Sequence, residues 1–266
     1  MEVRYVFRPT DFTFAGKSAS EFGLTVCDIG NNKHSDNSFG NSANIVESRI
    51  ANRITPLHYG VRYHDEPLTF NIIFASEERL DRYQIQEISF WLTGYQDYQW
   101  LLIEQPDLEN VEYKCLVKSL TPISVGWFPM AFEATFVCDC PYAYGFPFEE
   151  AISVTNQREY TFANYSTIHE LFKPNLEIVV SPGCREFSIT NRSTVKTMKF
   201  TNLPGDGVTI QIDNENCILQ EPNKQYNLYD YFNFQFFELI SGDNDLLIVG
   251  TGIVTISGQF LYNTGA

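Results

Sequence analysis

The side chains best suited to chemistry are the six cysteines, four histidines and 33 acidic residues of a 266-residue chain. Cys138-Asp139-Cys140 sets two thiols on one face of an extended strand, half of what a tetrahedral zinc site requires. No second Cys pair or Cys-x-x-His stands nearby, so they read as buried strand cysteines, with metal or redox chemistry as the sharper alternative. His169-Glu170-Leu171-Phe172-Lys173 opens like a metalloprotease helix but lacks a second His four residues on. With His34, His58 and His64 it makes a scattered set, expected at the surface. Glycosidases work with two opposed carboxylates, but Asp65-Glu66, Asp206, Asp213 with Glu215 and Asp243 with Asp245 fall in turn contexts. There Asp is favoured by hydrogen bonds to its own backbone. Asp243-Asn244-Asp245 has oxygens for calcium, yet no twelve-residue ligand loop surrounds it. No G-x-S-x-G, P-loop or strand-linked G-x-G-x-x-G occurs. The sequence therefore predicts no catalytic residue, no cofactor and no metal ligand, hence no enzyme.

Binding is the better prospect, because 22 Phe, 15 Tyr and 3 Trp make the chain 15% aromatic. Large rings favour strands and dominate cores and subunit interfaces. The densest run is Tyr226–Phe237, where Tyr229 and Tyr231 have the character of a sugar-stacking pair. The competing reading turns Phe232, Phe234 and Phe236 inward as one face of a core strand. Residues 30–44 are of opposite character, a polar stretch too poor in apolar side chains to bury itself. Loops of that length are usually functional or disordered, so it reads as a contact arm.

These residues must be held by a mainly β scaffold. Phe12-Thr13-Phe14 reads as a strand, a turn follows at Ala15-Gly16-Lys17, and Ser20–Leu24 returns toward a second strand. Val61–Tyr63 and Leu68–Phe74 read as a hairpin about a turn at 64–67, with Leu68, Phe70, Ile72 and Phe74 on the buried face. One helix is expected, with Ser76 as N-cap, Glu77 and Glu78 in its first turn and Gly94 at its end. Ile85, Ile88, Trp91 and Leu92 form its apolar stripe. Strands follow at 99–103, 113–117 and 131–138, with a turn at Gly126–Pro129. Pro141, Gly145 and Pro147 punctuate the chain, placing one domain at 1–145 and a second at 150–266. The second reads as a sandwich of short strands near 177–180, 187–189, 198–200, 208–212, 234–237, 245–250 and 253–260.

Composition narrows the function further. A net charge of −15 and a pI near 4.6 make the chain a poor candidate for wrapping nucleic acid, which needs clustered Lys and Arg. Apolar runs are too short to span a bilayer, and residues 1–5 show no signal-peptide character. Cysteines in such a chain are expected reduced.

The ordered pieces resemble a known family, the distal tail proteins of long-tailed phages. Phe12–Ser18, Phe22–Val26, Arg53–Gly60, Pro67–Phe70, Trp91–Gly94, Tyr98–Leu101, Tyr113–Cys115 and Phe132–Tyr144 follow in that family's order. Ile210–Asp213 and Leu239–Asp245 are similar, more loosely, to its galectin-like C-terminal domain. The resemblance implies a ring-forming N-terminal β-sandwich with one helix, followed by a galectin-like β-sandwich. It also implies a structural role in the virion, at the distal end of the tail, after synthesis in the host cytoplasm. The implied partners are other copies in a hexameric ring, the tail tube protein, the tail-associated tip protein and receptor-binding proteins. DNA would pass through the channel without specific binding, and no membrane insertion is implied. The alternative is a glycan-binding adhesin or receptor-binding protein; a wall hydrolase would need a nucleophile or paired acid that the sequence does not offer.

Overall fold

The computed structural model describes residues 10–29, 43–51, 53–63, 66–105, 110–125 and 128–263. They form two compact units, one of residues 1–144 with 262–266 and one of residues 145–261.

The first unit contains β1 (Asp11–Phe14), β2 (Lys17–Ser18), β3 (Leu24–Ile29), β4 (Ala43–Ser48), β5 (Leu57–Tyr63) and β6 (Thr69–Ser76). Helix α1 (Arg82–Thr93), β7 (Gln99–Glu104), β8 (Val111–Val125), β9 (Phe128–Cys138) and β10 (Ala143–Gly145) complete it. Its main sheet runs β2-β1-β7-β8-β9-β6-β3, every neighbour antiparallel. Alternation does the folding work: β6 buries Phe70, Ile72 and Phe74, which stand opposite Phe136, Ala134 and Phe132 of β9. Phe12 and Phe14 join the same face, and α1 packs over it through Ile88, Trp91 and Leu92. Trp91 locks the helix in place. Its ring stacks on Phe12 and Phe22, and its indole N–H donates to the Phe14 carbonyl at 2.9 Å.

Three expectations about this unit need correction. The helix is capped by Asp81, not Ser76: the Asp81 carboxylate accepts from the Gln84 amide and the Gln84 side chain accepts from the Asp81 amide, both at 2.8 Å. That reciprocal pair outcompetes Ser76, which ends β6, and leaves Glu77 and Glu78 outside the helix. The expected hairpin between 61–63 and 68–74 is absent, because β6 has both neighbours occupied by β3 and β9 while β5 pairs with β4. The segment at Ser20–Phe22 is part of a 3₁₀ turn, Ala19–Phe22, rather than a strand. Most of the expected arm at 30–44 lies outside the described residues, but Ala43 and Asn44 open β4. The turn at 126–127 also lies outside them; Phe128 and Pro129 belong to β9 and pair with Val125 and Ser124.

The second unit contains β11 (Phe148–Val154), β12 (Gln157–Asn164), β13 (Asn175–Val180), β14 (Phe187–Asn191), β15 (Lys196–Phe200) and β16 (Val208–Asp213). After β17 (Ile218–Gln220) come β18 (Gly242–Val249), β19 (Gly252–Gly258) and β20 (Leu261–Tyr262), whose last residue belongs to the first unit. Two antiparallel sheets, β11-β19-β13-β16-β17 and β12-β18-β14-β15, face each other across one core. The chain is thus mainly β with one α-helix.

Residues 234–237, expected as a strand, are irregular. Side-chain amides supply the partners that a ladder would have given: Asn214 accepts from the Phe237 amide and Asn244 from the Ile240 amide. Asn244 is fully buried, and also donates to the Ile240 and Gly242 carbonyls while accepting from Asn191. Asp243 and Asp245, read as turn residues, lie in β18 opposite Ala163 and Thr161.

Candidate assembly surfaces

Two surfaces of the first unit leave large apolar side chains uncovered. The first is the β4–β5 ribbon, a two-stranded sheet that pairs with no other strand among the described residues. Ile45 stands directly opposite Val61, so the two share a face, and Tyr59 lies at the bulge where the register shifts between Val46 and Glu47. Ile45 is 63% exposed and Tyr59 66%. Ile50 and Ile54, in the connection between the strands, are exposed as well.

The second is the outer side of α1. Tyr83 and Phe90 lie seven residues apart, two helical turns, which puts them on one face opposite the buried stripe. They are 82% and 76% exposed. A surface helix ordinarily turns charge to water, so two large rings there mark a contact surface.

In the second unit the aromatic run splits. Phe232 and Phe237 enter the core and Phe236 packs at its edge. The Tyr229 hydroxyl is taken, accepting from the Leu219 amide, and its ring stacks on Phe234. Phe234, expected in the core, is instead 63% exposed, at a positive φ of 57° that a bulky residue seldom adopts. Asn233 holds it there, accepting from the Lys199 and Gln235 amides and donating to the Thr197 carbonyl.

The residues singled out for chemistry stay apart. Cys138 faces Cys115 across β8 and β9, both buried, and all six cysteines are free thiols. Burial, then the neighbouring Cys140 and Asp139, pushes the Cys138 thiol up to about 12, so it is protonated and unreactive at neutral pH. Cys140 is raised as well, chiefly by burial, and bonds to the Tyr142 carbonyl and the Tyr144 hydroxyl. Among the described residues no group of three His, Cys, Asp or Glu side chains is placed to hold a metal ion. His58 and His169 are exposed, while His34, His64 and Asp65 lie outside the described residues. Asp213 caps its own turn through Asn216, and Asp206 accepts from Tyr226. No described helix is long and apolar enough to cross a membrane.

The sequence profile of phage tail protein N-terminal domains matches residues 7–140, and that of phage tail C-terminal domains matches residues 142–258. The chain belongs to the phage tail protein family. Membership makes it a component of a phage tail. The fold agrees with that of a solved tail protein. The Dit protein of phage SPP1, described as a paradigm of the hub adsorption apparatus in phages infecting Gram-positive hosts, matches with a TM-score of 0.69 and 15% identity. The match covers 95% of this tail protein and 100% of that chain. A chain of the activated phage P2 baseplate is more distant, at a TM-score of 0.46 and 11% identity over 94% of this chain and 98% of that one. No curated protein matches the sequence.

Sequence reasoning found the stripe that seats α1 but missed the opposite rings of Tyr83 and Phe90. Their signal, two aromatics seven residues apart on the polar side of an amphipathic helix, was available to it.

Proposed function

We propose that this tail protein is a non-enzymatic ring component at the distal end of a long phage tail, joining the tail tube to the tip and host-adsorption apparatus. One observation carries the reading: both halves match phage tail families, and nearly the whole chain shares the fold of a protein described as a hub of the adsorption apparatus. In it, residues 1–145 form the ring as a hexamer and residues 150–266 are a galectin-like domain. Partners are the tail tube protein, the tip protein and receptor-binding proteins, with DNA passing through the lumen without specific binding. The uncovered apolar ribbon and helix face are what a chain that functions only in assembly would present. Mass measurement and negative-stain imaging of the purified chain, alone and with the adjacent tail proteins, test the ring. Antibody labelling of virions tests its place. Label on the capsid or along the tube, or a chain that never assembles, overturns the reading.

A second reading, glycan recognition by the second unit, is favoured by the exposed Phe234 ring beside Tyr229. Loss of glycan-array binding in Phe234→Ala would establish it, and an array showing no binding by the wild-type chain would remove it.

A further inference from the structure

We infer that Cys115 and Cys138 are a latent cross-strand disulfide, two thiols as the chain folds that a small-molecule disulfide joins by oxidation. Cys115 of β8 stands directly opposite Cys138, the last residue of β9. One residue further along, the Asp139 amide donates to the Lys114 carbonyl at 2.9 Å. The Cys138 amide turns the other way, to the Leu68 carbonyl at 2.8 Å. In an antiparallel ladder that pattern marks a non-hydrogen-bonded pair, with Cα atoms about 4.5 Å apart and side chains at closest approach. Disulfides span Cα separations of about 4.4–6.8 Å, so this bond needs little backbone movement. Both thiols are buried in one core cluster, on the same face of the sheet.

The neighbouring groups leave the pair to itself. Cys140, two residues past Cys138, already bonds to the Tyr142 carbonyl and the Tyr144 hydroxyl. Among the described residues no three ligands are placed to hold a metal ion, so the chemistry open to the pair is thiol–disulfide exchange. In the closed strands neither thiol reacts, being buried and held protonated. Exchange therefore occurs in local openings at the end of β9, where a thiol regains its ordinary acidity. One thiol loses its proton, and its sulfur attacks the small disulfide RSSR to give a mixed disulfide and RSH. The second thiol then attacks the protein sulfur of that mixed disulfide and expels a second RSH. Two protein thiols are oxidised and one RSSR is reduced to two RSH, with every proton accounted for. The bond would tie the base of the β8–β9 hairpin, between strands flanked by β7 and β6. It would also remove freedom from the unfolded chain. Cells keep cytosolic thiols reduced, while the medium outside is oxidising. On the reading that the chain is made in a host cytoplasm and serves in the virion, it passes from one to the other.

The purified, reduced full chain is incubated overnight with oxidised glutathione at about pH 8, folded in one sample and in urea in another. Free thiols are then blocked and the unreduced digests mapped by mass spectrometry. Cleavage after Lys114 and Lys118 isolates Cys115 on a short peptide. In the folded sample that peptide should be joined to the one carrying Cys138, later than glutathione appears on the exposed Cys27 and Cys217. Cys140→Ser should keep the link, whereas in urea the links should scatter over the six cysteines. The oxidised chain should melt several degrees above the reduced one, a shift reversed by dithiothreitol and missing from Cys115→Ala. Cys115 left free in the folded sample, joined to Cys140 or to another molecule, or linked to Cys138 only in urea, overturns the disulfide. So does a melting midpoint that falls on oxidation. None of these outcomes bears on the ring, which imaging tests separately.

Discussion

A thiol deep between strands is protected twice, by exclusion of reagent and by a raised pKa that withholds the thiolate. Cys115 and Cys138 have both protections, whereas Cys27 and Cys217 are exposed. Brief iodoacetamide treatment of the folded chain at about pH 8 should therefore modify Cys27 and Cys217 and spare Cys115 and Cys138, as read by peptide mass spectrometry. Early labelling of the buried pair would show that β8 and β9 do not pack as described. Glu221 illustrates the opposite sign. Its burial alone would raise the pKa, but the amides of Gln225 and Asn223 donate to the carboxylate, at 2.5 and 3.1 Å, and together hold it below its ordinary value of 4.5. A depressed folded-state pKa stabilises the chain above the unfolded value, and that stability is lost as pH falls through the folded value. Glu221→Gln should thus be less stable than wild type near neutral pH, and the gap should close once the carboxylate of the wild type is protonated. Urea midpoints that differ equally at neutral and strongly acidic pH would exclude the carboxylate as the cause.

Helix α1 shows how an element concentrates energy in a few side chains. Trp91 combines burial, two ring stacks and a hydrogen bond to Phe14, so Trp91→Ala should cost about 3–5 kcal/mol in denaturant unfolding. Asp81→Ala removes one arm of the capping box and should cost about 1 kcal/mol. A larger effect at Asp81 than at Trp91 would mean that the cap, not the packing, holds the helix. The same helix marks what a sequence discloses about elements. Its inward stripe was readable because periodicity records burial, and the period of two in β6 was readable for the same reason. Partners were not. Nothing local says that β5 turns away from β6 to pair with β4, since register and neighbours are set by the whole sheet. Asp81 lost to Ser76 in sequence because a capping box is visible only when the Gln three residues on is weighed with it. The irregular stretch before β18 was illegible for a further reason. Its aromatics alternate as a strand would, and the decisive groups are asparagines 20 or more residues away in sequence, or on the following strand. The candidate surfaces divide similarly: the arm expected from its polarity lies almost wholly outside the described residues, and the exposed apolar side chains belong to the strands that follow it.

At the scale of the whole molecule, the second unit has its own core and two complete sheets, so residues 145–261 should fold alone and melt cooperatively. The piece must keep Phe148, whose ring stacks on Phe260 at 4.2 Å. An insoluble or non-cooperative product would show that this unit depends on the rest of the chain. Net charge gives a prediction for the proposed ring. Residues 1–148 carry 19 acidic against 11 basic side chains, and no basic block offsets them. Each lysine or arginine set against DNA phosphate would release counterions and add affinity, so a basic lumen would retard the genome. An acidic lumen leaves the duplex separated from the wall by water and counterions. Screening confines that repulsion to about 8 Å at physiological salt, so the residues lining the hole decide the outcome, not the total. The competing account, that −15 serves to keep the free subunit soluble, predicts no bias between lumen and exterior. Filter binding distinguishes them when assembled ring is compared with a variant in which lumen carboxylates are changed to amides. Wild-type ring should not retain duplex DNA at about 0.15 M salt, while the amide variant should, with a steeper salt dependence as phosphate contacts form. Tight retention by the wild-type ring, or no change in the variant, would leave solubility as the reason for the charge.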